Sequence, residues 1–251
     1  MTMIADAGPR RFRPSLTATL ITVPAVLIML SLGTWQVQRM AWKAELIQRV
    51  EQRVTAPPVP LPATVSDPEA FEFRPVTVAG RYLHDKEMRL MARPRQGQVG
   101  YEVLTPLQRA DGGGVVLVNR GFVPMDRRDP ATRPESRTGG EVTVTGLVRL
   151  PHPAGWFQPE NRPGADAWMR VDPPAMAAAQ GLTGEGLAGV APLVVEALPE
   201  AGRPGGVLNG IPPQVELPNN HLQYAITWYS LAVTLIVIFV LSQRRRIEPA
   251  P

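Results

Sequence analysis

Two long stretches without a formal charge leave this chain few ways to fold. The later one lies between Glu216 and Arg244. It opens with Asn219-Asn220-His221-Leu222-Gln223-Tyr224-Ala225-Ile226-Thr227-Trp228-Tyr229 and runs on through Ser230 to Leu241. A helix that crosses a bilayer needs about 20 predominantly apolar residues, and this span has that length. The earlier stretch, Leu16 to Val37, is equally free of charge. It is longer than the roughly 7–15 apolar residues of a cleaved secretory signal. A charged, helical pattern follows it, with no clear small-x-small cleavage site, so a retained anchor is expected. Pro24 lies inside this span, a position that membrane helices tolerate.

Arginines orient the pair. Arg10, Arg11 and Arg13 precede the first span, and Arg244, Arg245 and Arg246 follow the second. By the positive-inside bias both ends face the cytoplasm, while Arg39 and Lys43 oppose this for the first span. The long intervening segment counts little, because long domains translocate largely regardless of charge. The expected fold class is membrane α+β: a two-helix transmembrane hairpin with a β-rich extracytoplasmic domain inserted between the helices. Its divisions are a cytoplasmic N-terminus at 1–14, a first transmembrane helix at 15–38 continuing as a helix to about 54, a β-rich domain at 55–215, a second transmembrane helix at 219–242 and a cytoplasmic tail at 243–251. The short N-terminus, which contains Asp6, leaves little room for a transit peptide. A bacterial inner membrane, with the central domain periplasmic, is therefore the expected location.

Beyond the first span, Met40, Ala44, Ile47, Val50 and Val54 recur at helical spacing, with Arg39, Lys43, Arg49 and Arg53 on other faces. The run Thr55-Ala56-Pro57-Pro58-Val59-Pro60-Leu61-Pro62 stops this helix and reads as a stiff extended spacer. The middle of the chain then carries much of a total of 28 prolines and 22 glycines. That punctuation argues for short strands and turns. Strands are expected around Phe73 to Gly80, Lys86 to Ala92, Tyr101 to Leu107, Val115 to Asn119, Glu141 to Arg149 and Pro192 to Ala197. Asp111-Gly112-Gly113-Gly114 joins two of them as a hairpin. Arg127 to Gly140 reads as a polar loop rich in charge, and the acidic residues near Asp126 and Asp129 are expected to pair with its arginines. One short helix is expected over Ala175 to Gln180, capped by Asp172, with Pro173 in its first turn and Gly181 as its stop. Gly202 to Pro213 is a turn region leading back to the second span.

The net charge of +4 comes from basic residues that are dispersed except beside the apolar spans, so no nucleic-acid partner is expected. The absence of cysteine excludes disulfides, thiol catalysis and cysteine metal sites. No Gly-x-Ser-x-Gly elbow, phosphate loop or His-Glu-x-x-His site is present, and Gly112-Gly113-Gly114 precedes a strand rather than a helix. An enzyme is therefore not expected. His84 and His152 read as loop histidines. Asn119 and Arg120 either stabilise a strand end or meet a partner.

Five short motifs, in order, resemble one family. They are Leu32-Gly33-Thr34-Trp35-Gln36-Val37-Gln38-Arg39 with Trp42-Lys43; Gly100-Tyr101-Glu102-Val103-Leu104-Thr105-Pro106-Leu107; Val116-Leu117-Val118-Asn119-Arg120-Gly121-Phe122-Val123-Pro124; the set Phe157, Pro159, Asn161 and Trp168; and Asn220-His221-Leu222-Gln223-Tyr224-Ala225 with Thr227-Trp228. Together they resemble the surfeit locus protein one family, assembly factors of haem-copper cytochrome c oxidase. Phe122 stands where that family more commonly has tryptophan. The resemblance implies a role in maturing oxidase subunit I, with haem a bound or passed on and with other oxidase assembly proteins as partners. It also implies haem a ligation by the second-helix histidine, as in some bacterial members, and that histidine corresponds to His221.

The residues are compatible with that role. An axial ligand presents a neutral imidazole nitrogen to the iron, in a pocket that admits a flat apolar ring. On a helix, Tyr224, Ala225, Trp228 and Ala232 share a face with His221. In an antiparallel hairpin, Trp35 and Arg39 sit at the depth of His221. Trp35, Tyr224 and Trp228 are then placed to pack on a porphyrin, and Arg39 to pair with a propionate. The same aromatics equally suit a membrane-interface belt, and Ala225 and Ala232 equally suit helix packing. The alternative function is an interaction scaffold that stabilises oxidase assembly intermediates without itself binding haem. A third alternative is a membrane-anchored enzyme, which would need a pocket of convergent polar residues in the middle segment.

Overall fold

The computed structural model describes residues 10–91, 97–153, 155, 159–182, 189–199, 208–213 and 218–246. Ala92, Phe157 and half of the turn region from Gly202 lie outside them, as do residues 1–9 and 247–251. The chain divides into two compact units, one made by Met1–Arg49 with Glu216–Pro251 and the other by Val50–Val215.

The first unit contains strand β1 (Arg10–Phe12), most of helix α1 (Leu16–Val54), helix α3 (His221–Ser242) and strand β9 (Arg244–Arg246). Both helices are long and apolar enough to cross a membrane. The expected continuation of the first helix to residue 54 is present. A feature without a sequence signal is the ribbon at the chain ends. β1 and β9 pair antiparallel, with Arg10 opposite Arg246 and Phe12 opposite Arg244. Gln243 caps the arrangement: its backbone carbonyl accepts from Arg13 N at 3.0 Å and its side-chain Oε1 from Ser15 N at 2.8 Å. The Phe12 and Phe239 rings meet edge to face, with centroids 6.1 Å apart.

The second unit is built on β2 (Val59–Pro60), β3 (Pro75–Tyr82), β4 (Met88–Leu90), β5 (Gly100–Arg109), β6 (Val115–Pro124), β7 (Val142–Arg149), the short helix α2 (Pro173–Ala179) and β8 (Val190–Ala197). β3, β7, β8, β6 and β5 are neighbours in that order, and β5 pairs again with β3, closing a five-stranded barrel. β2 and β4 extend it at the edges of β3 and β5. All pairs are antiparallel except β2–β3 and β6–β8. Alternate residues Val76 and Val78, Val116 and Val118, Val144 and Val148, and Leu193 and Val195 fill the interior. The opposite face of the wall is also buried. There Leu104, Leu117 and Val194 pack with Met88, Leu90, Trp168 and Met176. Burial on both faces explains why β6 is a nearly continuous apolar run rather than an alternating one.

Closure depends on the short pairing of Gly80, Arg81 and Tyr82 with Arg109, Gln108 and Leu107. Gly80 also pairs with Val142 on its other side. A Cβ at Gly80 would lie 2.2 Å from the Gln108 carbonyl oxygen, so only glycine lets these backbones meet. Arg109 fastens the seam. Its buried guanidinium donates to Leu61 O at 2.7 Å, just after β2, and to both carboxylate oxygens of Asp111.

Several elements differ from the sequence expectation. The proline run is not a free spacer: Val59 and Pro60 form β2 and Leu61 is buried in the barrel core. β6 does not stop at Asn119. A bulge carries it on to Pro124, with Gly121 at φ 113° and its N–H bonded to Asn119 Oδ1 at 3.1 Å. β4 is shorter than expected because a 3-10 turn, His84–Lys86, precedes it. Within the polar loop, Pro130–Thr132 and Pro134–Ser136 are 3-10 turns around a fully buried Arg133, which is paired with Glu87. Asp129 caps the first of these turns through Ala131 N, at 2.9 Å, in place of the expected arginine pairing. The short helix has its expected Asp172 cap, which accepts from Ala175 N at 3.2 Å, and its Gly181 stop at φ 63°.

Gly80→Val should lower the stability of the barrel by about 3 kcal/mol, since the clash is with backbone that cannot rotate away. Thermal unfolding of the detergent-solubilised chain would reveal this. Burial raises the Asp111 carboxyl, but the hydrogen bonds from Arg109 and Gly113 N–H and the Arg109 charge outweigh it, leaving Asp111 below the usual carboxylate range. A group with a depressed folded-state pKa stabilises above its unfolded value and loses that contribution as the pH falls through the folded one. Asp111→Asn should therefore be less stable than wild type near neutrality. The gap should close as the pH falls to and below the range of ordinary carboxylates, in denaturation curves taken across pH.

Candidate functional site

The candidate site lies on the first unit, where α3 begins. His221 is the first residue of α3 and is half-buried. Its Nδ1 is 2.7 Å from Oε1 of Gln36 on α1. Asn219 Nδ2 donates to the Met40 carbonyl at 3.2 Å, one helical turn along α1 from Gln36. On the other side of the site, Tyr229 packs over Gly33, where an added Cβ would come within 2.8 Å of the ring. The Tyr229 hydroxyl is 3.1 Å from Thr34 Oγ1. Ala225 and Ala232 are buried at 2% and 0% exposure, although α3 is otherwise largely exposed. Their burial fits the helix-packing reading, and His221, Ala225, Tyr229 and Ala232 make one seam at spacings of four, four and three residues.

The other sequence-predicted residues are placed differently. Trp35 and Tyr224 are 53% and 56% exposed, and Trp228 is partly covered. The Arg39 guanidinium stacks 3.9 Å over the Trp42 ring. Among the described residues, His221 is joined by hydrogen bonding to Gln36 and to none of these four. Sequence reasoning did not single out Gln36. The available signal was a polar residue beside Trp35, at the depth already assigned to His221.

The donor chemistry fits a haem iron. One imidazole has a ring nitrogen engaged by Gln36 of the opposite helix, and Trp35, Leu222 and Tyr224, close to these two residues in sequence, are exposed. No group of three or more His, Asp or Glu residues capable of holding a bare metal ion occurs among the described residues.

The barrel unit has a separate cleft of about 400 Å³ whose lining includes Glu102, Asn119, Arg149, His152, Arg170 and Glu196. Asn119 donates to Glu102 at 2.9 Å and Arg149 to Glu196 at 2.8 Å, so each of these two pairs is satisfied internally. Among the described residues no serine or threonine lines it. His84 accompanies Arg120 at 3.5 Å, and Arg120 stacks on Tyr82 and donates to Ser136 O, which makes it a brace within the unit.

Ala232→Leu should force the helices apart, at a cost of roughly 1–3 kcal/mol for an overpacked contact. The chain has no native cysteine, so a disulfide between Phe12→Cys and Arg244→Cys reports on the pairing. These residues are directly opposed, within the reach of a disulfide. The yield should be high in the otherwise wild-type chain and markedly lower with Ala232→Leu.

Comparison with known proteins agrees with the order of the motifs. The model of the SURF1 family matches residues 23–233, a span that takes in most of both helices and the whole barrel. Surfeit locus protein 1 of Homo sapiens is 41% identical over 216 residues, covering 80% of this chain and 69% of that protein. The Xenopus tropicalis protein of the same name is 38% identical over 216 residues, covering 80% and 67%. A SURF1-like protein of Monosiga brevicollis is 34% identical over 236 residues, covering 90% and 87%. With the family model matched over residues 23–233 and a relative 41% identical over 80% of the chain, the chain belongs to the SURF1 family.

Proposed function

We propose that this chain is a cytochrome c oxidase assembly factor whose helix hairpin holds haem a, or hands it over, for the maturation of subunit I. Membership of the SURF1 family supports the assembly role. One observation supports the haem role: the first residue of α3 is an imidazole held half-buried against the opposite helix.

In this reading α1 and α3 cross a bacterial inner membrane, both termini are cytoplasmic and the barrel is periplasmic. The arginines outside the two apolar spans support this orientation. The pairing of β1 with β9 supports it too, since it keeps both chain ends together. His221 supplies the axial ligand. Trp35, Tyr224 and Trp228 cover the porphyrin faces, and Arg39 leaves Trp42 or shares it to neutralise a propionate. His221 would hold haem a by donating an imidazole lone pair to its iron. The chain's own work is to present that lone pair in a setting apolar enough for the macrocycle. The barrel carries the contacts to subunit I and to other oxidase assembly proteins.

The exposure of Trp35 and Tyr224 equally suits contact with helices of a partner, as a scaffold without haem requires. Purification from cells that make haem a separates the two. A Soret band present in wild type and reduced at least tenfold in a folded His221→Ala variant is the expected result. Haem-free wild type under saturating supply would leave the scaffold.

A further inference from the structure

We propose that Gln36 is a positioning residue for His221, accepting a hydrogen bond from Nδ1–H and so fixing the tautomer that leaves the Nε2 lone pair for a ligand. This rests on the reading of His221 as the haem ligand. It adds a residue from the opposite helix to which that reading gives no role.

A neutral imidazole has one N–H donor and one acceptor nitrogen. Which nitrogen holds the proton depends on what each of them meets. Here Nδ1 meets a carboxamide oxygen at 2.7 Å, near the short end for an N–H···O bond. A carbonyl oxygen can only accept, so the proton belongs on Nδ1. The opposite tautomer would set two lone pairs against each other. His221 is half-buried, so solvent dilutes the energy of that choice less than it would on an open surface. Metal-bound histidines generally donate their second N–H in this way, to a carboxylate or a carbonyl. A carboxamide is the uncharged version of that partner. It orients the ring without placing a formal charge in an apolar span.

The contact is also held from both sides. Beyond it on α1, the Met40 carbonyl receives Asn219 Nδ2. Before it, Gly33 and Thr34 receive the Tyr229 ring and hydroxyl. Between these two fastenings α3 presents small Ala225 to the seam beside His221 itself. The helices are thus fixed in rotation and spacing by groups other than the pair itself. The Gln36–His221 geometry therefore exists before any ligand arrives, which is the condition for a pre-organised ligand.

The test uses the full chain in detergent, labelled with 15N-histidine, in two arms. In the metal-free arm, the ring 15N shifts of His221 are read at a pH where imidazole is neutral. Wild type and Gln36→Glu should show the Nδ1–H form. Gln36→Leu, which keeps the bulk and removes the acceptor, should show a mixture. In the second arm haem a is titrated in. Gln36→Leu should bind about 10–100-fold more weakly, the range for losing such a partner. Gln36→Glu should recover the affinity, with electron paramagnetic resonance g-values shifted towards a more strongly donating imidazole. The Phe12→Cys and Arg244→Cys disulfide verifies helix pairing in each variant.

An Nε2–H form in wild type would overturn the assignment. So would a Gln36→Leu chain with paired helices, an unchanged tautomer and unchanged haem affinity. If Gln36→Leu fails to fold, the comparison of Gln36→Glu with wild type decides: identical g-values overturn the assignment. Wild type that shows the Nδ1–H form but takes up no haem a would overturn the ligand reading alone, leaving the Gln36 contact supported by the first arm.

Discussion

Hydrocarbon chains are as apolar as leucine, so two helices in lipid gain nothing by burying side chains against each other. Their association has to come from close packing and from hydrogen bonds that lipid cannot offer. The α1–α3 pair supplies both. Gly33, Ala225 and Ala232 remove bulk from the seam. Asn219, His221, Tyr229 and Gln243 each reach a polar group across it or at its end. His221 is one member of this set, so the group proposed to meet haem is also part of what holds the helices. A ligand residue that doubles as a structural contact starts ordered, and less entropy is lost when it binds.

The barrel meets a related demand by different means. Its interior is ordinary, made of alternating valines and leucines. Its closure is not, because three residues of β3 must reach β5 while β7 occupies the other edge. Gly80 permits the approach, and Arg109 links the end of β5 to Leu61 beyond β2. Burying a guanidinium is costly unless it is paired and hydrogen-bonded. Asp111 supplies the pairing from the hairpin turn that follows. Asp111 thus serves two purposes, shaping the turn through Gly113 N–H and neutralising the seam.

The helices and most strands were legible because their signals are local. Charge-free length marks α1 and α3, alternation marks β3 and β7, and an Asp-Pro start with a Gly stop marks α2. Closure was not legible, since it rests on three pairs, Gly80 with Arg109, Arg81 with Gln108 and Tyr82 with Leu107, that are distant in sequence. β2 was hidden because its prolines read as a spacer, although two residues on a sheet edge suffice to carry Leu61 into the core. The end of β6 was hidden because Asn119-Arg120-Gly121 looks like a turn, and a bulge uses the same residues. At the site, hydropathy and antiparallel geometry fix depth but not rotation. Neighbouring helical residues differ by about 100° in direction. Trp35, Gln36 and Arg39 lie within about a turn of each other, and the fold decides that Gln36 is the one that touches the imidazole.

The parallel pairing of β6 with β8 has a further consequence. β8 is the last stave in the sequence, and it fills the gap between β6 and β7. Until Val190–Ala197 has been synthesised, those two strands each keep an open edge, and open edges recruit other chains. A product that ends early could carry four of the five staves and the first helix yet still be hazardous to its neighbours. That exposure lasts until β8 has been made, after every other stave of the barrel.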